Sequence, residues 1–168
     1  VVQMTLTTYD EDLCRKIEPN VSTTMERFEA LKRLRDAGIP TVVWLTPVLP
    51  FINDTAENIS GILDLCAEAD VYGIICFGMG LTLREGNREY FYAQLDRLFP
   101  RLKEKYMRTY GNQYIIESPD SRHLMDLFHR TCEQTGIIHH NEQIFRYLHT
   151  FEEKNPARQL SLWDLGMN

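Results

Sequence analysis

The stretch that most constrains this chain is Gly38–Asp54, GIPTVVWLTPVLPFIND. A helix-ending Gly leads into a β-branched and aromatic run, then a Pro-bracketed loop, then Asn-Asp before the next apolar periodicity. Thr41–Leu45 is apolar or β-branched throughout, as in strands covered on both faces, which are characteristically parallel. Pro47 and Pro50 donate no ladder hydrogen bonds, so the strand ends before them. The loop Pro47–Asn53 therefore leaves the carboxyl end of a parallel strand, where barrels and open α/β sheets keep their chemistry.

The flanking segments repeat the pattern. Val1–Thr8 alternates, with Gln3, Thr5 and Thr7 on one side and Met4 and Leu6 on the other. The polar side either faces the interior of a barrel or marks an edge strand wetting one face. Tyr9–Asn20 reads as a polar connection. Ser22 caps a helix running to Ala37, with Met25, Phe28, Leu31 and Leu34 along one stripe. Asn53 or Asp54 caps the next helix, with Glu57 placed as in a capping box and Ile59, Ile62, Leu63, Cys66 and Ala67 facing inward. Val71–Phe77 (VYGIICF) is a third apolar strand, followed by Gly78, Gly80 and the turn Thr82–Asn87. Strand and helix alternating in this way give parallel pairing with right-handed crossovers, either half a barrel or half a doubly wound sheet.

Arg88–Tyr110 is helical, with Phe91, Leu95, Leu98 and Leu102 inward, and Pro100 kinks or splits it. Its basic residues and Tyr90, Tyr92, Tyr106 and Tyr110 make either a solvated face with packing aromatics or a strip for a nucleic-acid strand. Tyr114–Ser118 and Pro119 form a linker. Helices over Ser121–Gln134 and Asn141–Phe151 follow, then polar Glu152–Arg158 and the apolar tail Leu160–Leu165.

A chain of 168 residues with net charge −6 buries a real core, and its charge excludes a module built on bulk positive potential. No apolar run reaches the length of a membrane span, and no signal-peptide pattern opens the chain. It begins at Val1 without lead-in, so an excised piece of a longer protein is expected. Cys14, Cys66, Cys76 and Cys132 form no CxxC or CxxxCxxC, and read as reduced thiols of a cytoplasmic core. His129, Cys132, His139 and His140 are zinc-ligand types at nearly usable spacing, but surface and capping histidines suit the pattern better, and no metal is expected. Gly78–Gly80 and Gly86 before a helix would allow an anion at that helix N-terminus.

Several consecutive blocks resemble a known family. TLTTYDEDLCRKIEPNVSTTMERFEALKRLRDAGIP is similar to a strand ending in Ser/Thr, an acidic turn, Glu-Pro, a Ser/Thr-led helix with Arg, and Gly-Ile-Pro. VVWLTPVLPFIND, ICFGMGLTLREGNREYFYAQLDRLFP and KYMRTYG continue it, over roughly Gln3–Gly111. These blocks resemble the radical S-adenosylmethionine (SAM) proteins of the spore photoproduct lyase-like branch, often labelled DNA repair photolyases. The resemblance implies an α/β fold in which three parallel strands with flanking helices form half of a partial (β/α)6 TIM-type barrel over residues 1–113. An α-helical C-terminal extension over 114–168 would follow. In that family CxxxCxxC holds a [4Fe–4S] cluster that cleaves SAM to a 5′-deoxyadenosyl radical. That motif is missing here, so SAM and cluster belong to a longer parent, and this chain alone is expected to bind neither and to be inactive.

What carries over is one wall of a cleft: Thr5, with Thr7 on the same side, and Pro47 near SAM, and Arg84 and Glu85 toward substrate. Each also has a plainer reading, Thr5 as strand propensity, Pro47 as loop stiffening, and Arg84–Glu85 as an exposed ion pair. The expected partners are the missing N-terminal half-barrel, a nucleic-acid substrate and, through unpaired strand edges, a second copy. The alternative function is a non-catalytic α/β binding module contacting a protein or nucleic acid.

Overall fold

A computed structural model describes residues 1–150 of the chain. The polar run Glu152–Arg158 and the apolar tail Leu160–Leu165 lie outside the described residues. Three strands, β1 (Val2–Thr5), β2 (Thr41–Trp44) and β3 (Gly73–Ile75), form one parallel sheet in the order β1-β2-β3. The expected α/β architecture with three parallel strands and flanking helices is observed. Register places Thr5 beside Trp44 and Trp44 beside Ile75, and Gln3 beside Val42 and Val42 beside Gly73. Because side chains alternate along a strand, each of these sets shares one face of the sheet.

The opposite face carries Met4, Leu6, Val43, Leu45, Ile74 and Cys76. It packs against α2 (Thr24–Asp36) through Phe28 and Leu31, against α3 (Ala56–Glu68) through Ile59, Ile62, Leu63 and Cys66, and against α6 (Ser121–Thr135) through Leu124, Phe128 and Cys132. Within the expected extension, α6 shares the core of the strands. Among the described residues, the first face is covered only near β3, where Ile144 of α7 (Asn141–Leu148) packs on Val42 and Ile75.

Capping chemistry fixes the helix starts, and here the structure corrects the sequence reading. Thr23, not Ser22, caps α2: its hydroxyl accepts from the Glu26 N–H and the Glu26 carboxylate accepts from the Thr23 N–H. Thr55, not Asn53 or Asp54, caps α3, accepting from the Asn58 N–H at 3.1 Å. Tyr9–Asn20 contains a helix, α1 (Glu11–Ile17), capped by Asp10 and burying Cys14. Its acids stand in the first turn and Arg15 and Lys16 in the last, complementing the helix dipole, a signal that outweighs its low hydrophobicity.

The long helical stretch does split at Pro100, into α4 (Asn87–Leu98) and α5 (Leu102–Tyr110), with Arg101 left-handed between them. Tyr114–Ser118 is not a linker. Ile115–Glu117 is a strand, β5, paired antiparallel with β4 (Gly80–Thr82). The expected boundary at 113/114 therefore falls between two elements of one packed unit, in which Ile116 meets Leu83, Leu95, Tyr106 and Tyr110. Three-residue strands carry too little alternation to be read from sequence.

The two edges of the parallel sheet differ. Along β3, Ile74 N–H donates to Ile138 O at 2.8 Å, and the Asn141 amide donates to Cys76 O at 2.8 Å. Gly73 permits this closure, since a Cβ there would lie 2.9 Å from Ile138 O. Along β1, Val2 and Leu6 donate to β2 and the Pro40–Trp44 segment, so alternation turns the N–H and C=O of Gln3 and Thr5 outward. There the Arg27 guanidinium donates to Thr5 O at 3.1 Å. No helix of the described residues is long and apolar enough to cross a membrane.

Candidate functional site

The carboxyl ends of β1, β2 and β3 open onto a common region, and a polar network fixes the loops there. After β1 the chain turns inward: Thr7 and Thr8 are 5% and 0% exposed. Thr7 O accepts from the side-chain amides of Asn53 at 3.0 Å and Asn58 at 2.9 Å. Asn53 also donates to Thr8 Oγ1 at 3.1 Å, and its carbonyl accepts from the Leu49 N–H at 2.6 Å. One buried amide therefore ties the β1 end to both ends of the Pro loop. A buried amide is retained only when its hydrogen bonds are met, and Asn53 meets three. That explains why it does not serve as the cap.

The outer side of the loop is clasped by the β4–β5 unit. The Tyr106 hydroxyl donates to Pro50 O, and the Phe51 ring lies edge-on to Tyr106. Lys105 Nζ stands 3.7 Å over the Phe51 ring, and Ser118 Oγ donates to Asp54 at 2.6 Å. Burial, with the Asp54 carboxylate nearby, pushes the Tyr110 phenol up to about 12 and Tyr106 up as well, so both stay neutral donors.

Within this frame the expected residues separate. Thr5 is exposed on the sheet face that carries Gln3 and Trp44, as the alternation implies. Thr7 does not share that face. Pairing with β2 ends at Leu6, and the Thr7 hydroxyl turns to Glu18 Oε1 at 3.2 Å, with Glu18 held by Arg27 at 2.7 Å. Pro47 is exposed and lines a cavity of about 140 Å3 with Thr46, Phe77, Gly78, Leu81 and Glu117. Arg84 and Glu85 are exposed in the turn between β4 and α4, do not line that cavity, and form no ion pair with each other.

Three residues the sequence reading did not single out complete the surface. Trp44 joins Thr5 to the cavity: its Nε1 donates to Gln3 Oε1 at 2.9 Å, and its ring lies 6.1 Å from that of Phe77. Phe77 is 63% exposed at the end of the third apolar run. Glu117, hidden in the supposed linker, contributes the carboxylate among the cavity's lining residues. The register Thr5–Trp44 was the available signal, since a Trp directly beside the strand's polar side chains must share their face.

The remaining candidates have structural employment. Gly80 sits in β4, where a Cβ would fall 2.1 Å from Ile116 O, so strand approach accounts for it without an anion. The tyrosines do not make one exposed strip: Tyr106 and Tyr110 are 0% and 7% exposed, whereas Tyr90 is 66% exposed. His129, His139 and His140 lie ring against ring, at 5.2 and 4.5 Å between centroids, while Cys132 turns into the core. Among the described residues no group of three or more His, Cys, Asp or Glu is placed to hold a metal ion.

The chain is 32% identical over 109 residues to the uncharacterized protein Rv2578c of Mycobacterium tuberculosis H37Rv and, equally, to the uncharacterized protein Mb2609c of Mycobacterium bovis. The match covers 65% of this chain and 32% of each relative. The chain thus spans about a third of the length of the curated relatives it matches. No protein-family model matches it, and no solved structure matches it.

Proposed function

We propose that this chain is the C-terminal half of a partial (β/α)6 barrel in a radical SAM iron–sulfur enzyme of the lyase or DNA-repair type, forming one wall of the SAM and substrate cleft. The observation that carries the reading is the sheet face that the described residues leave largely uncovered. A parallel sheet packed by helices on both sides has no reason to present Gln3, Thr5 and Trp44 to solvent on one of them. A barrel interior has such a reason, with the Pro loop and the Phe77–Glu117 cavity at its carboxyl end. The match to a third of longer relatives supports a parent chain that supplies the rest.

The cysteines of this chain do not fit the cluster-ligand role. Cys66, Cys76 and Cys132 lie in the main apolar core, and burial pushes the Cys132 thiol up to about 12 and Cys66 and Cys76 upward too, away from the thiolate a metal needs. The cluster would be held elsewhere in the longer chain. When bound, cluster and SAM would supply the radical. On this wall the Thr5 hydroxyl offers a hydrogen bond to SAM, Pro47 and Phe77 exclude water, and Glu117 accepts a donor from substrate. A nucleic-acid substrate would contact this wall locally, given the net charge of −6. Four free thiols suit a cytoplasmic setting. The open β1 edge would pair with the N-terminal half-barrel, or in isolation with a second copy; sedimentation of the isolated chain as a clean monomer at high concentration would overturn that last point.

The test is anaerobic iron–sulfide reconstitution of this chain and of a chain extended to the relatives' length, followed by EPR and assay of SAM cleavage. The expected result is a [4Fe–4S] signal and cleavage from the longer chain alone. A cluster on the short chain would overturn the assignment of ligands elsewhere. If neither chain takes a cluster, the non-catalytic binding module takes its place, a reading favoured by Tyr114 and Ile115, 54% and 61% exposed at the β5 strand.

A further inference from the structure

A second cavity, of about 140 Å3, lies on the outer side of the Pro loop, where the C-terminal ends of α1 and α4 converge on it. Its floor is apolar and comes from three separate parts of the chain: Ile17 from α1, Leu49 and Ile52 from the loop, Phe91 and Leu95 from α4. Leu49 and Ile52 belong to the Pro loop, but none of these residues lines the cavity of Pro47 and Glu117. At its rim stand Lys16 and Arg97. The Lys16 ammonium is held 4.1 Å over the Phe99 ring, and neither cation has a carboxylate partner among the described residues.

The two helix ends decide how much of that charge is left over. Each C-terminus carries about half a negative elementary charge, so two of them offset about one of the two cations. No Asp or Glu lines the cavity. The mouth is therefore net positive above an apolar floor, a combination that suits a ligand with an apolar body and one anionic head.

We propose that this cavity binds an apolar monocarboxylate, its tail against Leu49, Ile52 and Leu95 and its carboxylate between Lys16 and Arg97, bracing the loop that carries Pro47 from behind. The inference does not depend on the radical SAM reading, because it needs neither cluster nor SAM.

The probe is sodium octanoate, with octanamide as its uncharged counterpart, titrated into the chain and followed by backbone amide NMR shifts. Saturable shifts at Leu49, Ile52, Leu95 and Phe99 are expected, with octanoate about tenfold tighter than octanamide, the worth of one charge-assisted contact. The double variant Lys16→Gln, Arg97→Gln, both at the surface, is expected to fold as the parent does and to bind the two probes equally. Absence of saturable shifts at these residues, or equal affinity of the two probes for the parent chain, would overturn the proposal. Octanoate preference that survives in the double variant would overturn the placement of the carboxylate. Cluster formation in the extended chain is scored separately, so failure of either reading leaves the other standing.

Discussion

The two faces of the parallel sheet obey different rules. The face of Leu6, Val43, Leu45 and Ile74 is packed by three helices, and these four side chains are 0% exposed. The face of Gln3, Thr5 and Trp44 has one short helix near β3, and polar groups alternate with an aromatic ring that is only half-buried. Both faces are written on the same strands at a period of two, so the difference is encoded rather than accidental. A sealed face measures stability. An open face of polar and aromatic side chains adds little to it.

The largest expected effect falls on the sealed face. Phe128→Ala in α6 removes a ring that is 1% exposed against the strands, and should cost about 3–5 kcal/mol by chemical denaturation. A loss below about 1 kcal/mol would mean that α6 is a loosely docked appendage rather than a layer of the core. Alkaline pH probes the same face without mutation. Cys66, Cys76 and Cys132 have raised pKa values, so the folded state holds their protons more tightly than the unfolded chain does. Their contribution is fully present below the unfolded pKa near 9 and is lost as pH climbs toward the folded values, about 12 for Cys132. For Cys132 the expected slope is a loss of about 1.4 kcal/mol per pH unit in that window, with Cys66 and Cys76 adding in the same direction. Cys132→Ala should make the slope shallower, read from denaturation midpoints across the pH series.

An intermediate effect is expected at the closed edge. Asn141→Ala removes the donor to Cys76 O and should cost about 1–3 kcal/mol while raising amide exchange at Ile74 and Cys76. If exchange there does not change, Ile138 alone closes the edge.

Much of this architecture was legible in the residues. The strand and Pro loop of Gly38–Asp54, the apolar positions Phe28 and Leu31 and the break at Pro100 are local signals of periodicity and ring chemistry that emerged where they lie. The caps, by contrast, fell one or two residues later, at Thr23 and Thr55, and Met25 of the expected stripe is exposed. What escaped depended on partners distant in sequence. Helix α1 is short and polar, with a capping Asp as its main signature. Strands β4 and β5 have three residues each and exist because they pair with one another across the intervening helices α4 and α5. Among the candidate residues, Thr5 and Pro47 came from the family resemblance, with alternation placing Thr5 on the open face, whereas Glu117 reached the cavity only through that unread pairing. Thr7 was misplaced for a related reason: alternation holds only while a strand continues, and the ladder ends at Leu6.

The smallest stability effect, and the sharpest test of the open face, belongs to Thr5. Thr5→Val keeps the β-branched shape on an exposed strand position, so its folding free energy should stay within about 0.5 kcal/mol of the parent. Thr7→Val, two residues on, strips the hydroxyl that donates to Glu18 and should cost about 1 kcal/mol or more. If the open face lines the SAM cleft, the order reverses in the extended chain. There Thr5→Val should weaken SAM binding about fivefold, the worth of one neutral hydrogen bond, while Thr5→Ser restores it. Equal SAM affinity for Thr5→Val and the parent, measured by titration calorimetry on cluster-loaded protein, would remove Thr5 from the cleft. It would also leave the uncovered face as the surface of a binding module.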